Sequence, residues 1–283
     1  MNHPLHEHFQ SQWPDVEAAW RTWGERLAVQ TRAATRWIVD LAGVGPGMTI
    51  LDVASGVADP ALTLLAAVAP DGQVVATDLV APALTQLAEN ATRLGFGGLR
   101  TVCAPMEALP FATGSFDAAT CRLGLMFATD LARALRELAR VLKPGGRAAC
   151  VVWGSPLQAL FQATLALIPG FERLCAGAPD RPGPFRFSSP GALGGAMRRA
   201  GFANVREETR RHPWPFPGSA REMWQAFIEL SGAELHGAVT AEVEAQVLEA
   251  LTLHEQGGVV DPGAVLVGCV GVSEERWTSD REH

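Results

Sequence analysis

Gly56 and Asp78 stand 22 residues apart, and their chemistry is complementary. Gly56 lies in a run of small residues, Ala54-Ser55-Gly56-Val57-Ala58. A glycine takes positive φ without penalty and lets a ligand approach the main chain closely. Asp78 closes the apolar run Gln73-Val74-Val75-Ala76-Thr77, a place from which a carboxylate accepts both hydroxyls of a ribose. The pair reads as two ends of a nucleoside site, whereas a lone glycine reads as an ordinary tight turn. A dinucleotide corner would need G-x-G-x-x-G, with a pyrophosphate on the N-terminus of the next helix. Here Val57, Ala58, Asp59 and Pro60 follow Gly56, and Asp59 brings negative charge to where a diphosphate would lie.

The elements around these residues must place both at one edge of a sheet. Met48–Val53 reads as a strand and Pro60–Ala67 as a helix. Gln73–Asp78 is a second strand, and Ala83–Leu94 a helix closed by Gly95 and Gly97. Arg100–Ala104 and Phe116–Cys121 are a third and a fourth strand. Asp130–Leu142 carries Leu131, Leu135, Leu138 and Leu142 at helical spacing. Lys143-Pro144-Gly145-Gly146 stops it before a fifth strand, Ala148–Trp153. This alternation implies a parallel sheet with helices on both faces, and ligands bind outside the carboxyl ends of its strands. Beyond Trp153 the rhythm breaks. Helices are expected from Ser155-Pro156 to about Ile168, from Ser189-Pro190 to Gly201, and after the capping box Ser219-Ala220-Arg221-Glu222. Val205–Trp214 and Ala264–Val272 read as further strands.

A cofactor with a cationic centre and no phosphate suits the corner at Gly56, and S-adenosylmethionine has both properties. The blocks "ILDVASGVADPAL", "VVATD", "APMEALPFATGSFDAATCRLGLMF" and "ALRELARVLKPGGRAACVVW" resemble, in order, those of class I S-adenosylmethionine-dependent methyltransferases. The nearest likeness is to the ubiquinone/menaquinone-biosynthesis C-methyltransferases and their small-molecule relatives, over about Val44 to Trp153. The resemblance implies a doubly wound, mostly parallel, seven-stranded Rossmann-like α/β sheet. It implies S-adenosylmethionine as cofactor and S-adenosylhomocysteine as product. Carried onto this chain, it has Asp52, Ala54, Ser55, Gly56 and Val57 cradle the methionine end, Asp78 hold the ribose, and Leu79 touch the adenine. Pro105 and Met106 stand beside the adenine, and Cys121 and Arg122 supply main-chain contacts near the methionine. Glu107, Pro110, Phe116 and Asp117 belong to the same block and read as structural.

Three positions depart from the family's pattern. Ala58 replaces a second glycine, Val57 a frequent hydroxyl residue, and Pro105 an Asp or Asn. These departures keep a non-catalytic binding or regulatory relative in view, and a decarboxylase or cyclase using the same cofactor is a further alternative. Methyl transfer is chiefly alignment of nucleophile, methyl and sulfur, so no single motif names the acceptor. His212, beside Trp214 and near Arg206, Arg210 and Arg211, is the first candidate base or acceptor-orienting group; its plainer reading is a surface histidine. His236 and His254 qualify only if their helices cover the pocket. Arg122 could meet an acidic acceptor or face solvent. The chain has no tyrosine, so no phenol base is expected.

Composition excludes other classes. A net charge of −7 offers no field for a phosphate backbone, so nucleic acid is not an expected partner. Cys103, Cys121, Cys150, Cys175 and Cys269 form no CxxC pair, and His3, His6 and His8 lack ligand-type companions, so no metal is expected. The histidines read as a fraying terminus. No secretory leader or membrane-length apolar run is read, which points to a cytoplasmic protein. The expected partner is a small-molecule methyl acceptor, with a homodimer left open. The chain reads as one methyltransferase domain over 1–283, its core at about 43–153, 200–214 and 263–272. Segments 1–40, 154–199 and 215–258 serve as cover, carrying Trp13, Trp20, Trp23, Phe161, Phe171, Phe185, Phe187, Met223, Trp224 and Phe227. If these line a pocket rather than a core, the acceptor is apolar or aromatic. Trp20, Trp23 and Leu27 are expected to share one face of a helical arm folded over the cofactor cleft.

Overall fold

The computed structural model describes residues 4–155, 168, 180–231 and 239–274. The expected helix from Ser155, and Phe161, Phe171, Cys175, His3 and His236, lie wholly or largely outside the described residues. The chain opens with α1, Pro4–Ala42, a 39-residue helix. Then β1 (Thr49–Val53), α2 (Ala61–Val68), β2 (Gln73–Asp78), α3 (Ala81–Arg93) and β3 (Leu99–Cys103) alternate. β4 (Phe116–Arg122), α4 (Leu131–Val141) and β5 (Leu142–Trp153) continue the pattern, and α5 (Ala192–Arg199) precedes β6 (Phe202–His212). β7 (Phe216–Pro217), α6 (Ala220–Leu230), α7 (Ala241–Thr252), β8 (Glu255–Gln256), β9 (Val259–Val260) and β10 (Ala264–Ser273) complete it.

The main sheet has seven strands in the order β3-β2-β1-β4-β5-β10-β6. β10 alone runs against its neighbours, β5 on one side and β6 on the other. The order reverses between β1 and β4, the switch point where a ligand crevice opens. Strand residues alternate between two cores. Ile50, Val74, Ala76, Ala118, Ala149, Val151, Ala264 and Leu266 pack with α1, α2, α3 and α6. Leu51, Val53, Val75, Ala119, Cys121, Cys150 and Cys269 pack with α4 and α5 on the other face. Burial of roughly 1.5–3 kcal/mol per large apolar side chain is what holds such layers together.

Local chemistry accounts for the element ends. Asp130 caps α4 by accepting from the Arg133 N–H at 2.9 Å. Ser219 and Glu222 form the expected capping box of α6. Three boundaries differ from expectation. Lys143-Pro144-Gly145-Gly146 does follow the end of its helix, at Val141, but already lies within β5, at a register shift opposite Phe116 and Ala118. The residue capping α5 is Gly191, at φ 80°, not Ser189. A small sheet, β7-β9-β8, joins chain segments that carry too few residues to show strand periodicity. Among the described residues, no helix is long and apolar enough to cross a membrane.

Candidate cofactor and acceptor site

The turn after β1 is built around two left-handed residues, Ala54 (φ 56°) and Gly56 (φ 61°). A Cβ added at Gly56 would meet nothing within 4 Å, so the space above it is open to a ligand. Ser55 is buried, with its N–H donating to the Thr77 carbonyl at 3.0 Å. Asp78 reaches the turn from β2: its Oδ2 accepts from the Gly56 N–H and its Oδ1 from the Val80 N–H, both at 3.0 Å. Burial raises this carboxyl above its ordinary range, and the main-chain donors at Val80 and Gly56 oppose that rise. A carboxylate has lone pairs left beyond these two bonds for ribose hydroxyls.

Asp59 also lies where the sequence suggested. Its Oδ1 accepts from the Thr63 N–H at 3.1 Å and the Thr63 hydroxyl at 2.7 Å. The start of α2 thus holds its own carboxylate, which opposes a phosphate there.

Asp52, Thr120 and Arg122 share the α1-facing side of β1 and β4. Asp52 is fully buried; its Oδ1 accepts from the Thr120 hydroxyl at 2.6 Å, and its Oδ2 has no partner. Burial pushes this carboxyl up to about 7, against the Thr120 bond and the Arg122 charge. Arg122 points inward, not to solvent. Its Nη1 donates to the Thr35 hydroxyl of α1 at 3.2 Å and its Nη2 to the Asp59 carbonyl at 2.6 Å. Its Nε is buried without a partner.

The side expected to take the adenine is roofed by the first turns of α1. Trp13 and Val16 pack with Val57, Val80 and Ala83, and Phe9, Trp20 and Ala58 join them. Gln10 Nε2 donates to the Leu79 carbonyl at 3.0 Å. Trp20 and Trp23 therefore do not share one apolar contact face: Trp23 packs on Phe216 and donates to Glu229 Oε2 at 2.6 Å. His6 sits 3.7 Å from Glu107 within α1, so the N-terminal histidines are not a frayed end throughout. Among the described residues no cluster could hold a metal ion. Glu107 is structural as expected, its Oε1 accepting from Thr129 N–H and hydroxyl at 2.7 and 2.9 Å. Asp117 likewise ties Thr49 to Lys143. Pro105 and Met106 follow β3 on the same edge, Met106 packing with the α4-side core. Cys121 is fully buried and its thiol is pushed up to about 12 by burial, which leaves only its main chain for a ligand.

His212 ends β6, three strands from β4 in the sheet order, about 14 Å away at the usual strand spacing. It does not join the cofactor corner. It stacks 4.9 Å from Trp37 of α1, with its Nε2 buried and unpartnered, so it is not a surface histidine. Burial and then the Arg210 charge lower its pKa, which keeps the imidazole neutral near pH 7. Trp153, at the end of β5, packs edge-on with Trp214 at 5.0 Å. The Nε1 atoms of Trp37 and Trp214 are buried without partners. His254 is exposed after α7 and takes no part. Sequence reasoning missed Gln10, Thr35, Trp37 and Thr120, because only the long-range packing of α1 and the pairing of β4 bring them here.

The profile of the ubiE/COQ5 methyltransferase family matches residues 28–176. The ubiquinone/menaquinone biosynthesis C-methyltransferase UbiE of Klebsiella pneumoniae is 33% identical over 184 residues, covering 60% of this chain and 72% of that one. The Hahella chejuensis enzyme of the same name is 38% identical over 122 residues; these cover 43% of this chain and about half, 49%, of the relative. Among solved structures, the YcgJ protein of Bacillus subtilis superposes with a TM-score of 0.57 at 19% identity, covering 87% of this chain and all of that one. At that identity the likeness speaks for the fold, a class I methyltransferase sheet. The open turn at Gly56, the Asp78 carboxylate and the unpartnered Asp52 and Arg122 atoms fit S-adenosylmethionine. The chain belongs to the ubiE/COQ5 methyltransferase family, enzymes that use S-adenosylmethionine.

Proposed function

We propose that this methyltransferase acts on a small apolar or aromatic acceptor, held at the strand ends of β5, β10 and β6 beneath α1. The observation that carries the reading is the group Trp37, Trp153, Trp214 and His212 at that edge. Aromatic walls recognise flat apolar rings, and buried ring N–H groups without partners are costly unless a ligand accepts from them. The cofactor, when bound, supplies a methyl group already activated on a sulfonium. In this reading Asp78 and the Gly56 turn hold the nucleoside, α1 excludes water, and neutral His212 orients the acceptor by accepting a hydrogen bond from a group remote from the methyl. The chain works as a single cytoplasmic domain in this reading, with core segments 43–153, 200–214 and 263–272 under the cover of the remainder. A panel of acceptors, read by S-adenosylhomocysteine formation, tests it. Turnover of planar ring compounds, weakened by Trp214→Ala with unchanged cofactor affinity, is the expected result. Turnover confined to small charged amines or phosphorylated acceptors would overturn it.

A further inference from the structure

Trp23, Gln30 and Trp37 follow one another on α1 at seven-residue intervals. Seven residues make nearly two full helical turns, so the three share one line down the helix, about 10 Å apart. That line runs over the segment joining β6 to β7: Trp37 packs on His212 at 4.9 Å and Trp23 on Phe216 at 6.1 Å. Trp214 lies midway between those two contacts on the segment, and Gln30 midway between them on the helix. Two hydrophilic side chains are buried in α1, Gln30 and Thr35. Thr35 donates to the Thr31 carbonyl and accepts from Arg122, each at 3.2 Å. Gln30, only 6% exposed, makes no side-chain hydrogen bond with another described residue. The Trp214 Nε1 is likewise buried without a partner. An indole donor and an amide that gives or accepts thus stand on facing walls of one apolar region and do not bond to each other. Leaving both so is costly unless something between them completes the pair.

We propose that Gln30 sets the specificity of the acceptor pocket, its amide and the Trp214 N–H together binding an uncharged oxygen carried by the acceptor ring. The assignment rests on the acceptor reading above and deepens it, since the pocket then selects an oxygenated ring over a bare hydrocarbon. Three features favour a neutral oxygen. An indole N–H only donates, so the group between must accept. The amide offers a carbonyl oxygen or an NH2, so it pairs with a hydroxyl or a carbonyl on the ligand. Neither side chain brings a net charge, and burial keeps the neighbouring His212 neutral. Arg210, which lies over the Trp37 ring, is already paired with Glu208 at 2.7 Å. An ionised group at this place would therefore be buried uncompensated. A site built to bond an oxygen rejects an analogue lacking it more strongly than it rejects a missing methylene, so one amide can choose between rings of equal size.

Equilibrium dialysis of the protein loaded with S-adenosylhomocysteine, against a matched pair of rings, tests the assignment. One ring, 2-naphthol, carries a hydroxyl where the other, 2-methylnaphthalene, carries a methyl of similar size. The unaltered chain is expected to prefer 2-naphthol. Gln30→Met keeps the length of the side chain without its amide and should lower that preference about fivefold, the scale of one hydrogen bond. Its affinities for 2-methylnaphthalene and S-adenosylhomocysteine should stay within about twofold. Trp214→Phe keeps a ring, removes the N–H and should cost the same preference. The double variant should lose less than the two losses multiplied, because both groups hold one oxygen. A preference untouched by Gln30→Met would overturn the proposal and leave the amide to a buried water. Equal losses for both rings, or a matching loss of S-adenosylhomocysteine affinity, would overturn it too, since the residue would then only shape the helix face. An unaltered chain that binds both rings without preference would overturn the assignment and leave the apolar pocket standing. One that binds neither ring would overturn the pocket itself, and this assignment with it.

Discussion

The two faces of the sheet treat polar groups differently. On the α4 side, half-buried charges are paired within the protein, with Glu107 Oε2 the exception that is buried without a hydrogen bond. Glu137 accepts from the Leu109 N–H and pairs with Arg140 through both oxygens, at 2.6 and 2.7 Å, and Arg140 also donates to the Leu109 and Phe111 carbonyls. Glu207 accepts from the Gly191 and Gly194 N–H groups, both at 2.6 Å. On the α1 side, Trp37, Asp52, Arg122, His212 and Trp214 each keep a buried atom without a partner. A folded protein retains such atoms where something from outside completes them. In the reading proposed above one face serves stability and the other a ligand, and substitutions on the two should separate the two properties.

The largest effect is expected where the α1 face is tightest. A Cβ at Gly268 would lie 2.4–2.9 Å from ring atoms of Trp37. Gly268→Val should therefore displace that ring and cost about 3 kcal/mol, measured by denaturant unfolding; a loss below about 1 kcal/mol would mean the ring relocates freely. Asp78→Ala comes next. It should weaken S-adenosylhomocysteine at least tenfold, in line with the roughly 1.5–3 kcal/mol of hydrogen bonds to a charged group. Unchanged affinity in a folded variant would place the nucleoside elsewhere.

On the opposite face, Glu137→Ala should cost about 1–3 kcal/mol of stability by leaving Arg140 and the Leu109 N–H unsatisfied. Cofactor affinity should not move, and a parallel loss of affinity would erase the division between faces. Ala54→Gly should raise stability by about 1 kcal/mol, because an alanine at φ 56° carries left-handed strain. Thermal unfolding reads that gain; a loss would show that the methyl, packed against Gly124, matters more than the strain.

The smallest effect is a slope. Asp52 keeps its proton to about 7 in the folded chain, against an ordinary 3.8. The folded state binds the extra proton between those values, so this group's contribution is full below the lower value and is lost as pH rises through the upper one. Cofactor-free stability should fall over that window, and Asp52→Asn should flatten the fall; an unaltered slope would locate the titration in other groups.

Much of this frame was legible because its signals are local. The β1–turn–α2 corner, Asp78 at a strand end, the α4 stripe and the Ser219 capping box each lie within a dozen residues or so. The order of four blocks then named the family. What escaped depends on direction and distance along the chain. Ala58 drew notice as a missing glycine, yet the strained alanine is Ala54, since only the folded turn shows which residue takes positive φ. Arg122 read as ambiguous because its partners are Thr35 and Asp59, 87 and 63 residues away. Trp20 and Trp23 looked like one stripe, but α1 crosses two neighbours and sends them to different clusters. The tryptophan group near His212 needs β6 to return beside β10, which no periodicity announces.

The length of α1 has its own consequence. At 1.5 Å per residue its 39 residues reach about 58 Å, enough for one helix to touch the expected adenine end through Trp13 and the proposed acceptor end through Trp37. Both binding events then lean on the same lever. Thermodynamic reciprocity requires that whatever factor the cofactor adds to acceptor affinity, the acceptor adds to cofactor affinity. Any coupling the helix carries is therefore shared equally by the two proposed ligands, whatever its sign.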